Sequence, residues 1–156
     1  LCDVRIDFDG EREGLLTRLQ AAAPQGFVVE DVYKLTATDG AMSKQLAGAE
    51  YAAWLPAAPA SLRAEGLEVK RLQKKVQKTI DVGRHLETAR VVDGDEADML
   101  RAQLEWPMGG AIVSFRLKIE ASGGAKPSEV IEALTGATPP EGTRYARTGF
   151  LMNNSY

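Results

Sequence analysis

"VKRLQKKVQKTIDVG" occupies residues 69–83 and places five cations, Lys70, Arg71, Lys74, Lys75 and Lys78, within ten positions that contain no acid. Read at helical period, Val69, Leu72, Val76 and Ile80 fall on one face. Read as strands, residues 67–69 run outward, the chain turns near Lys74-Lys75, and "VQKTIDV" returns with Val76, Ile80 and Val82 alternating. The return arm is rich in β-branched residues, which fit a pleated surface better than a helix. No Asn-Gly or Gly-Gly pair marks the turn. The segment is expected to be a hairpin, with a helix as the alternative.

Outward from this stretch the chain reads as alternating short elements. Towards the start, residues 2–8 alternate Cys2, Val4, Ile6 and Phe8 against charged neighbours, the pattern of a half-buried strand. Residues 11–23 carry leucines at helical spacing and stop at Pro24, and residues 27–35 suggest a second strand. Residues 39–49 and 58–66 suggest short helices, with a strand over 50–56 between them. Towards the end, residues 93–96 form an acidic turn, and 99–107 and 111–121 are expected strands. Within the latter, Val113, Phe115, Leu117 and Ile119 form one apolar face. A helix over 127–135 with Val130, Ile131 and Leu134 inward and Gly136 behind it precedes a final strand over 143–152. "NNSY" is expected to be a loose tail.

This order defines an α+β fold: a mainly antiparallel sheet with helices on one face, built from ferredoxin-like modules, the first of them incomplete. Residues 1–49 form a β-α-β unit plus a short helix, which an upstream segment would complete. Residues 50–156 form the second module, with the basic hairpin. The 156 residues, 44% of them hydrophobic and 26% charged, can bury a core without staples. One cysteine (Cys2) and one histidine (His85) exclude a Cys/His zinc site, an internal disulfide and a cysteine-held iron–sulfur cluster. No apolar run has membrane-spanning length, so a cytoplasmic protein without a membrane partner and without a cofactor is expected.

Net charge is -3, yet without the five cations of the hairpin 14 remain against 22 acids. Charge so segregated draws polyanions, and Arg84 and His85 extend the candidate surface formed by Lys70, Arg71, Lys74, Lys75 and Lys78. No aromatic lies between residues 69 and 90 to stack on a base. The simpler reading makes the lysines guards of an exposed strand edge. "ASGGAKPSE" (121–129) matches no phosphate-loop motif and reads as an ordinary helix start. His85 has Asp81 four residues before it, but no nucleophile stands nearby, so a surface histidine is favoured over an acid–base catalyst.

"LCDVRIDF" (1–8), "LLTRLQAAAPQGFVVEDVYKL" (15–35), "AGAEYAAWL" (47–55), "LEVKRLQKKVQKTIDVGRHL" (67–86), "AKPSEVIEALTG" (125–136) and "TRYARTGFL" (143–151) together resemble the radical-SAM-linked protein family. Its members carry a domain of uncharacterised function, free-standing or fused behind a cobalamin-binding-type radical SAM protein. They have a preceding segment with a Phe-Ser-His-rich helix and a Gly-Phe-Asn-Pro turn, which this chain is expected to lack. They also commonly place a glycine in the turn where Val76 stands. The resemblance implies a helper to a radical SAM enzyme, and CxxxCxxC cluster ligands are missing from this sequence. The expected function is thus a non-catalytic accessory or substrate-presenting domain whose basic hairpin contacts RNA or the radical SAM partner. The alternative is a free-standing ferredoxin-like RNA-binding module.

Overall fold

A computed structural model of the chain describes residues 6–34, 46–119 and 124–152. The chain divides into two compact units, Leu1–Gln45 and Leu46–Tyr156.

In the first unit, α1 (Arg12–Ala22) forms where the leucine spacing placed it, but none of its residues is buried. The Gln20 amide ties the helix to the following segment, donating to Phe27 O at 3.2 Å and accepting from Val29 N at 2.7 Å. Residues 27–34 form no strand ladder among the described residues, contrary to expectation, and neither do residues 6–8. A strand exists only against a neighbour, and here the side chain of Gln20 takes two of the backbone groups a ladder would use. Arg12 pairs with Asp31 and lies over the Tyr33 ring at 4.9 Å. The Arg12 guanidinium and the Tyr33 hydroxyl hold the Asp31 carboxyl down at about 2. The expected strand residues 2–5 and helix residues 39–45 lie outside the described residues.

The second unit is an α+β structure. Its strands are β1 (Leu46–Leu55), β2 (Glu68–Gln73), β3 (Val76–Asp81), β4 (Leu86–Val92), β5 (Ala111–Lys118) and β6 (Arg144–Met152), with helices α2 (Gly94–Leu104) and α3 (Pro127–Thr135). Four strands form an antiparallel sheet in the order β4-β5-β1-β6, and β2 and β3 form a separate hairpin. Numbered as they occur in the chain, the four sheet strands run 4-1-3-2 from the β6 edge. β5 and β6 therefore lie parallel with β1 between them, joined through α3. β1 and β4 likewise flank β5, joined through the hairpin. These two split crossovers are the ferredoxin-like pattern, with the hairpin standing in for the first helix.

Alternation along the strands separates two cores. Ala53, Leu55, Val113, Phe115 and Leu117 face α3 and the base of the hairpin, meeting Val130, Ile131, Leu134, Val69 and Val82. Ala52, Trp54, Ile112 and Val92 face the other way and meet Ala97 of α2, flanked by Leu100 and Trp106. The helices thus lie on both faces rather than one, and β5 is apolar on both sides where they overlap. Ile119, expected on the apolar face, lies past the end of β5 and is 42% exposed.

Three local readings give way to tertiary contacts. The helix expected to include residues 46–49 is the start of β1, which pairs on both sides with β5 and β6. Residues 58–66, rich in alanine, are not helical: Pro59 interrupts the run, and Arg63 N donates to Leu134 O at 2.7 Å. The expected acidic turn and strand over 93–107 contain α2 instead. Asp93 precedes it, Asp95 and Glu96 complement the positive end of its dipole, and Glu105 closes it in the left-handed region (φ 51°).

Candidate functional site

The basic stretch is a hairpin. Register pairs Val69 with Ile80, Arg71 with Lys78, Leu72 with Gln77 and Gln73 with Val76, leaving Lys74 and Lys75 as a two-residue turn. Both have positive φ, 49° and 68°. A turn with two such residues has the twist a hairpin needs, and Asn-Gly adopts it without strain. Lysine in the left-handed region costs about 1 kcal/mol per residue. The turn therefore holds two cations at an energetic cost that other residues avoid.

Burial falls away along the face that looks toward α3. Val82 is fully buried, Ile80 half-buried, Lys78 exposed and Val76 59% exposed. On the opposite face Leu72 is 75% exposed. The base of the hairpin belongs to the core, and the outer half projects from it. Gln73, Lys74, Val76 and Lys78 line a shallow concavity of about 260 Å³ on the inner face of this outer half.

The expected cationic set divides into three groups. Arg71 is absorbed into the structure: its Nε and an Nη donate to the two Glu129 carboxylate oxygens at 2.6 and 2.5 Å, and Nη also reaches Gly124 O at 2.9 Å. Arg84 and His85 sit at the base. Arg84 N donates to Asp81 Oδ1, His85 N to Val82 O, and His85 O accepts from Lys118 N. With about 3.3 Å of rise per strand residue, the six residues of β3 alone separate them from the tip by roughly 20 Å. Asp81 thus serves the loop after β3. Lys70, Lys74, Lys75 and Lys78 form no ion pair with any described residue, with Lys70 on the outer face, Lys78 on the inner and the other two at the end.

Glu129 holds the arm to α3. Its carboxylate also accepts from Lys126 N at 2.7 Å and so caps the helix it belongs to. Burial pushes this carboxyl up, but Arg71 and the Lys126 N–H outweigh that, and it titrates below its ordinary value. Sequence reasoning missed Glu129 because 58 residues separate it from Arg71. It also missed that Leu72 and Val76 would stand in solvent beside the lysines.

Two of the four acids of residues 93–98 are paired within their own region: Glu96 with Arg90, and Asp98 with Arg101 at 2.9 Å. No group of three His, Cys, Asp or Glu suited to a metal gathers among the described residues. No helix among them is long and apolar enough to cross a membrane. Comparison of the chain with protein-family profiles, with curated proteins and with solved structures returns no match.

Proposed function

We propose that this chain is a non-catalytic accessory domain of a radical SAM system and that the β2–β3 tip docks it onto an anionic surface of the partner enzyme. The observation that carries this reading is the turn itself. Two consecutive lysines are kept in a backbone conformation that disfavours them, at a fully projecting tip, where a strain-free pair would close the same hairpin. Backbone strain of this kind concentrates where a side chain has a task. Leu72 and Val76 beside the lysines add apolar area, the mixture that a protein partner rewards.

The RNA-binding alternative has less support. Ferredoxin-like RNA-binding modules stack bases on aromatics of an open sheet face. Here α2 covers one end of the face opposite α3. The remainder presents Glu50, paired with Arg116 at 2.5 Å, together with Thr88, Ser114 and Lys118, and no aromatic among the described residues. The hairpin has no stacking residue either.

The test is co-purification of the tagged chain with the radical SAM protein of the same cell. Lys74→Glu with Lys75→Glu should abolish recovery of that protein while the melting temperature stays within a degree or two. Retention of the partner by this variant, or a high affinity of the wild type for single-stranded RNA, contradicts the proposal.

A further inference from the structure

The hairpin is a two-stranded ribbon, and ribbons of two strands gain stability from a third. Its register fixes which backbone groups point outward. A two-residue turn makes Gln73 and Val76 a mutually hydrogen-bonded pair, so bonded and non-bonded pairs alternate from there. Val82 N, which donates to Leu67 O at 2.8 Å, falls on a bonded position and confirms the phase. Gln77 and Thr79 therefore turn their N–H and C=O away from β2. No described backbone group pairs with either of them. α3 lies against β2, and β3 has β2 as its one extensive neighbour among the described elements.

The side chains along this edge are equally specific. On the inner face β3 presents Val76, Lys78 and Ile80, an apolar–basic–apolar series. Lys78 lies directly opposite Arg71, a like-charged pair that is unfavourable by itself. Glu129 neutralises Arg71 from the α3 side, while Lys78 has no carboxylate among the described residues. A strand added beyond β3 would place its own side chains next to these three. An acid opposite Lys78, with apolar residues two positions to each side, meets the unpaired charge. One of those apolar residues covers Val76 at the concavity formed by Gln73, Lys74, Val76 and Lys78.

We infer that β3 is a strand-addition edge that takes an extended protein segment of the pattern apolar–x–acid–x–apolar as the third strand of the ribbon. The inference rests on the docking reading above and names the form of what docks. Main-chain bonds to Gln77 and Thr79 supply affinity, and Val76, Lys78 and Ile80 select the sequence. The lysines at the edge still repel basic strands and disfavour uncharged ones, which would cover a charge without pairing it, so protection and recognition share one device.

The probe is a capped peptide, Thr-Val-Thr-Glu-Thr-Val-Thr, with a control in which Lys replaces Glu. Residue-resolved amide exchange of the whole chain should show Gln77 and Thr79 slowed by the Glu peptide and unaffected by the Lys peptide. Thr79→Pro removes one outward N–H at a position proline tolerates on an edge. It should weaken binding at least tenfold, and Gln77→Pro serves in its place if the first variant does not fold. If Thr79→Pro binds normally while Lys74→Glu/Lys75→Glu does not, strand addition is overturned and the docking arm stands. Absence of peptide binding, or protection elsewhere than β3, also overturns it, and leaves co-purification to decide the docking reading separately.

Discussion

Arg71 and Lys70 are adjacent cations that have opposite uses. Nothing local distinguishes them; the difference comes from strand parity and from Glu129, far off in sequence. Arg71 is 22% exposed and Glu129 12%, so the pair is largely removed from water. Removing one member leaves the other charge without its partner, and Glu129→Ala should destabilise the second unit by about 3 kcal/mol in urea unfolding. Because the Glu129 carboxyl is depressed below its ordinary 4.5, its contribution is complete above that value. It is lost as pH falls through the lower folded-state value. Glu129→Gln should flatten the acid side of the stability–pH curve while changing little in its shape between pH 5 and 8. At the turn, Lys74→Asn with Lys75→Gly should raise stability by about 1 kcal/mol and weaken docking, since strain and charge are removed together. A thermal melt beside a co-purification assay measures both.

At the scale of elements, legibility follows how local the cause is. The hairpin could be read from β-branched alternation around Lys74-Lys75, although its turn carries no glycine. α3 could be read from Pro127, the apolar positions 130, 131 and 134, and Gly136, which closes it at φ 73°. β5 could be read from its run of apolar residues. α2 was not readable in the same way, because Asp93-Gly94 serves turns and helix starts alike. Only Trp54, Ile112 and Ala97 packing together decide for the helix. The alanine-rich stretch before Gly66 failed for the converse reason: high helix propensity was overruled by one backbone bond to α3 and a proline. These causes suggest a contrast. The Asp93 side chain makes no cap hydrogen bond, so Asp93→Ala should cost no more than about 0.5 kcal/mol, a dipole effect. Ala97→Asp, which buries a charge against Ile112 and Trp54, should melt α2, seen as lost helical circular dichroism.

For the whole molecule, charge is the quantity that composition shows and local pattern cannot place. The acids are spread over the body and several are paired, as Glu50, Glu96, Asp98 and Glu129 are. Four lysines that form no ion pair with a described residue, Lys70, Lys74, Lys75 and Lys78, share one projecting arm. Of the candidate site, the tip was legible in the sequence. The withdrawal of Arg71, the placement of Arg84 and His85 at the base, and the apolar flank at Leu72 and Val76 required the fold. An isolated cationic arm on an anionic body should steer association with an oppositely charged partner, and screening should slow it. The most direct measurement is therefore titration of the proposed radical SAM partner with the wild type, Lys74→Arg/Lys75→Arg and Lys74→Glu/Lys75→Glu, at about 0.05 and 0.5 M salt. The arginine variant should bind like the wild type, the glutamate variant should lose at least tenfold, and salt should erase most of the difference. Equal affinity of all three at low salt would contradict it.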